Sequence, residues 1–93
     1  MKKIVTLMKT TYDFKRQIKK CLKHDVGSAE YTLSKYYEDY FENLEDEKIT
    51  SAHIDALAKE VEEKRLQHQN SEDIQQLLSS MLKFMDALKL VVK

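Results

Sequence analysis

Proline and tryptophan are absent, glycine occurs once, as Gly27, and cysteine once, as Cys21. Ordinary usage would put about four or five prolines and about six glycines in a chain of this length, so the turn chemistry that hairpins and short strands need is missing. A sheet-rich fold is excluded on that ground and an all-α fold is expected. A lone cysteine cannot close an intrachain disulfide, and nothing else marks an oxidising compartment. No purely apolar run exceeds three residues, against the ~20 that a membrane helix requires. The basic start at Lys2 and Lys3 leads into Ile4 and Val5, but Thr6 to Thr10 interrupts any signal-peptide core. The expected location is the cytoplasm, with no membrane partner.

The chain has 93 residues, of which 42% are hydrophobic and 34% charged. That suits one folded helical-bundle domain over residues 1–93, neither a disordered tail nor a cofactor-binding enzyme of the usual size. Net charge is zero, yet charge is segregated along the chain. Residues 1–24 hold the bases Lys2, Lys3, Lys9, Lys15, Arg16, Lys19, Lys20 and Lys23 against Asp13 alone. Residues 25–49 are strongly acidic, with Lys35 and Lys48 as their only bases, and the remainder is nearly balanced.

Helical periodicity and capping residues predict an antiparallel four-helix bundle with helices over about 3–24, 28–45, 51–69 and 71–92. In the first, Ile4, Leu7, Met8, Thr11, Ile18 and Leu22 form the expected stripe, with Val5, Tyr12, Phe14 and Cys21 flanking. Gly27 supplies a breaker able to take positive φ, and Ser28 an N-cap. The second has its stripe at Ala29, Leu33, Tyr36, Tyr37, Tyr40 and Leu44, and an outer face of Glu38, Asp39, Glu42, Glu45 and Asp46. Thr50 caps the third, with Ile49 and Ile54 as a hydrophobic staple. Its stripe of Ile54, Leu57, Ala58 and Val61 gives out halfway, so the polar end around Arg65, Leu66 and His68 is expected to overhang, supported by Asp55–Lys59 and Glu60–Lys64 pairs. Ser71 opens the fourth ahead of Glu72 and Asp73, which suit a helix N-terminus. Its wide face of Ile74, Leu77, Leu78, Met81, Leu82, Phe84, Met85, Leu88, Val91 and Val92 is expected to centre the core.

No catalytic, metal or cofactor motif stands out. Cys21 and His24 lie one helical turn apart, but a closed zinc site needs four ligands, and the other histidines, His53 and His68, are too far apart to pair. Cys21 reads as a packed thiol and His24 as a helix-end residue. One glycine cannot build a phosphate loop, and the carboxylates lie on exposed faces where nothing tunes them for acid–base work. No enzyme activity, cofactor, metal or small-molecule substrate is expected.

Surface chemistry is more informative. Lys2, Lys9, Arg16, Lys20 and Lys23 share one sector of the first helix, while Lys15 falls inside its apolar stripe, where the stem can cover the core edge with the ammonium in water. Tyr31 and Phe41 are the aromatics expected outside the second helix's core face. With Glu38 and Glu42 they make an acid–aromatic patch of the kind protein interfaces use, to which Arg65 and Leu66 add a second contact.

In size, compactness and lysine–glutamate richness the chain resembles small bacterial and phage proteins that neutralise a target, such as bacteriocin immunity proteins, antitoxins and inhibitors of host or defence enzymes. No motif carries the resemblance and no residue is transferred by it. It implies stoichiometric occlusion of a protein partner. Two alternatives stand beside that reading: a nucleic-acid-associated protein using Lys9, Arg16, Lys20 and Lys23, and a homodimer in which the basic helix of one copy meets the acidic helix of another.

Overall fold

A computed structural model describes residues 2–44 and 49–92. It contains the helices α1 (Lys2–Cys21), α2 (Ala29–Glu42), α3 (Ser51–Gln67) and α4 (Glu72–Val91), with no strand among the described residues. The four-helix bundle is as the periodicity predicts, with the start of α3 at the expected residue and the other comparable ends shifted by one to three residues. Glu45 and Asp46 of the expected acidic face lie outside the described residues, as do Lys48 and the side chains of Lys2 and Ile4. No described helix is long and apolar enough to cross a membrane.

The three expected caps form. Ser28, Thr50 and Ser71 adopt extended backbone and accept from the N–H of Tyr31, His53 and Ile74 respectively, each satisfying one of the free donors of a helix start. Ile54 is buried and Ile49, half-buried, packs against the same core. Gly27 corrects an expectation: its φ is not positive, and a Cβ built on it meets nothing within 4 Å. The turn after α1 is instead closed by backbone bonds from His24 N–H to Cys21 O and from Ser28 N–H to Asp25 O.

Side-chain contacts fix the directions. Cys21 meets Asp73 while Phe14 meets Phe84, so α1 and α4 run antiparallel. His24, just past the end of α1, faces Glu30 while Phe14 meets Phe41, which sets α2 antiparallel to α1. Lys89 to Asp55 and Gln75 to Arg65 do the same for α3 and α4. Helix α4 is the central element, with Ile74, Leu77, Leu78, Met81 and Met85 at 1% exposure or less; each such side chain contributes roughly 1.5–3 kcal/mol by leaving water. Its buried face also takes in Ser80, whose hydroxyl is satisfied by Leu77 O, and Ala87, while Val91 lies largely outside.

Both α1 and α2 are turned relative to the expected stripes. In α1 the buried residues are Phe14, Ile18 and Cys21, while Met8 is 66% exposed. In α2 they are Leu33, Ser34 and Tyr37, with Phe41 packed against the core and Tyr36 51% exposed. At 100° per residue each rotation is roughly 50°. The cause is aromatic: the turn brings Phe14 and Phe41 onto Phe84, and Ser34 enters the core at little cost because its hydroxyl bonds Tyr31 O.

The polar end of α3 does not overhang. Gln75 of α4 donates from Nε2 to both Arg65 O and His68 O at 2.9 Å, capping the carbonyls of the last turn. Asp55 pairs with Lys89 of α4 at 2.6 Å, so a contact between helices takes the carboxylate expected to support α3 locally.

Candidate functional site

The ring cluster that turns α1 and α2 also forms the floor of a groove between them. Phe14 stacks on Phe84 with centroids 5.6 Å apart, and Phe41 stands edge-on to both at 5.4 Å. The groove has a volume of about 430 Å³. One wall is α1, through Thr11, Lys15, Ile18 and Lys19; the other is α2, through Glu38 and Glu42. On each wall the charged residues are four apart, so they share a face one turn above one another. Among the described residues no salt bridge joins a lysine of the first wall to a glutamate of the second. Glu38 is instead approached from its own helix by Lys35, at 3.3 Å. The basic and acidic segments thus face each other across an apolar floor without closing on it. Lys15 stands at the rim with its charge in water, as expected.

Of the residues read from sequence as a binding patch, the structure gathers Glu38, Phe41 and Glu42 in this groove. Phe41 is there as floor, half-buried, rather than as a projecting ring. Tyr31 does not line the groove; it sits half-buried in the first turn of α2. Arg65 and Leu66 belong to α3, which contributes nothing to the lining. Arg65 pairs with Glu62 at 3.0 Å, and Leu66 is an isolated side chain at 68% exposure. The basic row is divided as well. Arg16 pairs with Asp13 at 3.2 Å, Lys20 binds Asp73 at 3.3 Å and Gln76 at 3.0 Å, Lys23 lies beyond the end of α1, and Lys9 is exposed.

Sequence reading missed a polar junction at the other end of α1. His24 Nε2 donates to Asp73 Oδ2 at 2.7 Å, with Nδ1 at 4.0 Å from Glu30. The Ser71 hydroxyl donates to Glu30 Oε2 at 3.1 Å while capping α4. The signal was present in Ser71 and Asp73 at a helix start, where backbone N–H groups favour anions, but their partners Glu30 and His24, 41 and 49 residues away, were not legible. Cys21 is buried beside this junction with its Sγ toward Asp73 O, and burial first, then Asp73, pushes its thiol up to about 11. It is a protonated packing group at neutral pH. Among the described residues no group of three or more His, Cys, Asp or Glu side chains is placed to hold a metal ion.

The junction makes stability pH-dependent. Glu30 is held below its ordinary 4.5, first by its own backbone N–H and then by Ser71. Asp73 is held below 3.8, first by the hydrogen bond from His24 and then by Lys20. A carboxylate depressed in the folded state stabilises above its unfolded pKa, and that contribution disappears as pH falls through the folded value. Urea midpoints should therefore drop as pH falls below 4.5 and continue dropping under 3.8, the ordinary values of the two groups. Asp73→Asn should unfold more readily at neutral pH and show a shallower acid decline; an unchanged slope would rule out Asp73 as one of its sources.

Comparison with protein-family models, with curated proteins and with solved structures finds no match for this chain.

Proposed function

We propose that the protein is a non-enzymatic module that binds another protein stoichiometrically through the α1–α2 face and acts by occluding that partner, in the manner of small inhibitor, immunity and antitoxin proteins. One observation carries the reading: an aromatic floor lies open between a lysine wall and a glutamate wall. An apolar centre bordered by charge is the anatomy of a protein interface, where the floor supplies affinity and the rim charges speed and orient encounter. The nucleic-acid alternative is weakened because two of its four cations, Arg16 and Lys20, already have carboxylate partners, which reduces the positive charge free to displace counterions.

Glu38→Lys with Glu42→Lys provides the test. Both side chains stand at the rim, so the fold should survive. The wild-type protein should retain one protein from its native host at one-to-one stoichiometry, and the double variant should bind it about tenfold more weakly, chiefly through slower association. Equal binding by the variant would discard the groove as the interface, and retention of nucleic acid in place of a protein would discard the reading altogether.

A further inference from the structure

Helix α1 carries two rows at alternating spacings of three and four residues. The inner row is Leu7, Thr11, Phe14, Ile18 and Cys21, of which Phe14, Ile18 and Cys21 are buried in the core and Leu7 and Thr11 are half-buried. The outer row is Val5, Met8, Tyr12, Lys15 and Lys19, centred about 120° away around the helix at 100° per residue. This alternation keeps a row facing one partner helix along its length. Val5, Met8 and Tyr12 are 50%, 66% and 69% exposed, three large apolar side chains along one line of the helix rather than scattered singly. Antiparallel α2 stops at Glu42, level with Phe14, so it cannot reach this half of α1. Met8 and Tyr12 on one i,i+4 ridge and Lys9 and Asp13 on the next enclose an open dip, the surface form into which a ridge of a neighbouring helix fits.

We infer that the Val5–Met8–Tyr12–Lys15–Lys19 row of α1 is the seat of an amphipathic helix of the protein partner, one with an apolar row over Val5 to Tyr12 and acidic residues over Lys15 and Lys19. The inference rests on the binding reading above and specifies the partner's chemistry. Charge selects the occupant: Lys15 and Lys19 end the row and Lys9 flanks it, while the one acid beside it, Asp13, is paired with Arg16. A second copy is a poor match. Its α1 brings the same positive charge, and its acidic α2 shows outward only the single large apolar side chain of Tyr36. The other exposed apolar residues of the described chain, Val26, Leu66, Leu90 and Val91, do not combine an apolar row with acids. An anionic lipid surface would match the charge, but an apolar row this narrow suits a helical seam rather than insertion below headgroups.

The experiment titrates the ¹⁵N-labelled full chain with two synthetic helical peptides sharing one leucine seam, flanked by glutamate in one and lysine in the other. Phosphatidylserine vesicles form a third arm. The glutamate peptide should shift amides of residues 5–19 and the lysine peptide should not. Met8→Ser with Tyr12→Ser, both exposed and expected to leave the thermal midpoint unchanged, should weaken binding at least about tenfold, the loss typical of an interface anchor. Equal binding of both peptides, shifts away from α1, undiminished binding by the double variant, preference for vesicles, or self-association through α1 would each overturn the inference. Its failure is separable from that of the binding reading. A native partner lost by Glu38→Lys/Glu42→Lys but kept by Met8→Ser/Tyr12→Ser overturns only the seam, whereas absence of any protein partner overturns the reading.

Discussion

Phe14→Ala is expected to lower the stability of the bundle by about 4 kcal/mol, near the middle of the range for truncating a buried phenylalanine. Phe14 is 4% exposed, stacked on Phe84 and edge-on to Phe41. Its removal takes a ring from three helices at once and leaves a cavity that two other rings cannot fill without leaving their own contacts. A domain of this size has a total stability of roughly 5–15 kcal/mol, so the variant should populate unfolded chain at moderate temperature. Urea denaturation measures the loss, with Met8→Ala as its counterpart. Met8 stands 66% exposed on the same helix, and its truncation should stay within about 0.5 kcal/mol. The pair distinguishes the observed rotation of α1 from the stripe its periodicity suggests, which would put Met8 inside and Phe14 at the edge. Similar losses from both variants would contradict the rotation.

Tyr37→Ala is expected to be equally severe, about 4 kcal/mol, whereas Tyr37→Phe should be neutral or gain about 1 kcal/mol. Tyr37 is fully buried, with its ring against Tyr36, and its hydroxyl finds no hydrogen-bond partner among the described residues. The ring therefore stabilises and the oxygen does not. The hydroxyl also leaves an alkaline signature. Burial first, and then the nearby Glu60, raise its pKa above the ordinary 10.0. A phenol kept neutral in the fold contributes full stability below its unfolded pKa, and the contribution is lost as pH rises from there toward the folded value. Wild-type protein should weaken above pH 10.0, and Tyr37→Phe should weaken less over the same interval. If phenylalanine proves as damaging as alanine, the hydroxyl has a structural role that the packing does not show.

Helix boundaries were legible because they depend on neighbouring residues: Ser28, Thr50 and Ser71 each bond a backbone N–H three positions on, and that requirement is local. Helix rotation was less legible. Helix α1 has two rows of nearly equal regularity, and the choice between them depends on Phe84, seventy residues from Phe14 in sequence and 5.6 Å away in space. One clue was available: the outer row ends on Lys15 and Lys19, whereas the inner one holds Phe14, Ile18 and Cys21. The same distant choice moved Phe41 into the groove floor and left Tyr36 outside. Glu38 and Glu42 were readable as acids on one face, but their position opposite Lys15 and Lys19 required the pairing of α1 with α2. The Gln75 cap and the Asp73 junction join separate elements, so periodicity within one helix could not reveal them.

The placement of α4 constrains how the chain reaches its native state. The helix on which α1, α2 and α3 all rest is the last of the four to be synthesised, and α1 must wait through the making of α2 and α3 for its principal neighbour. Translation proceeds at roughly 5–20 residues per second, so for several seconds the first three helices emerge with their apolar faces lacking a common support. Assembly of this bundle is therefore held back until α4 has cleared the ribosome, and the nascent chain passes through an interval in which chaperones can engage it.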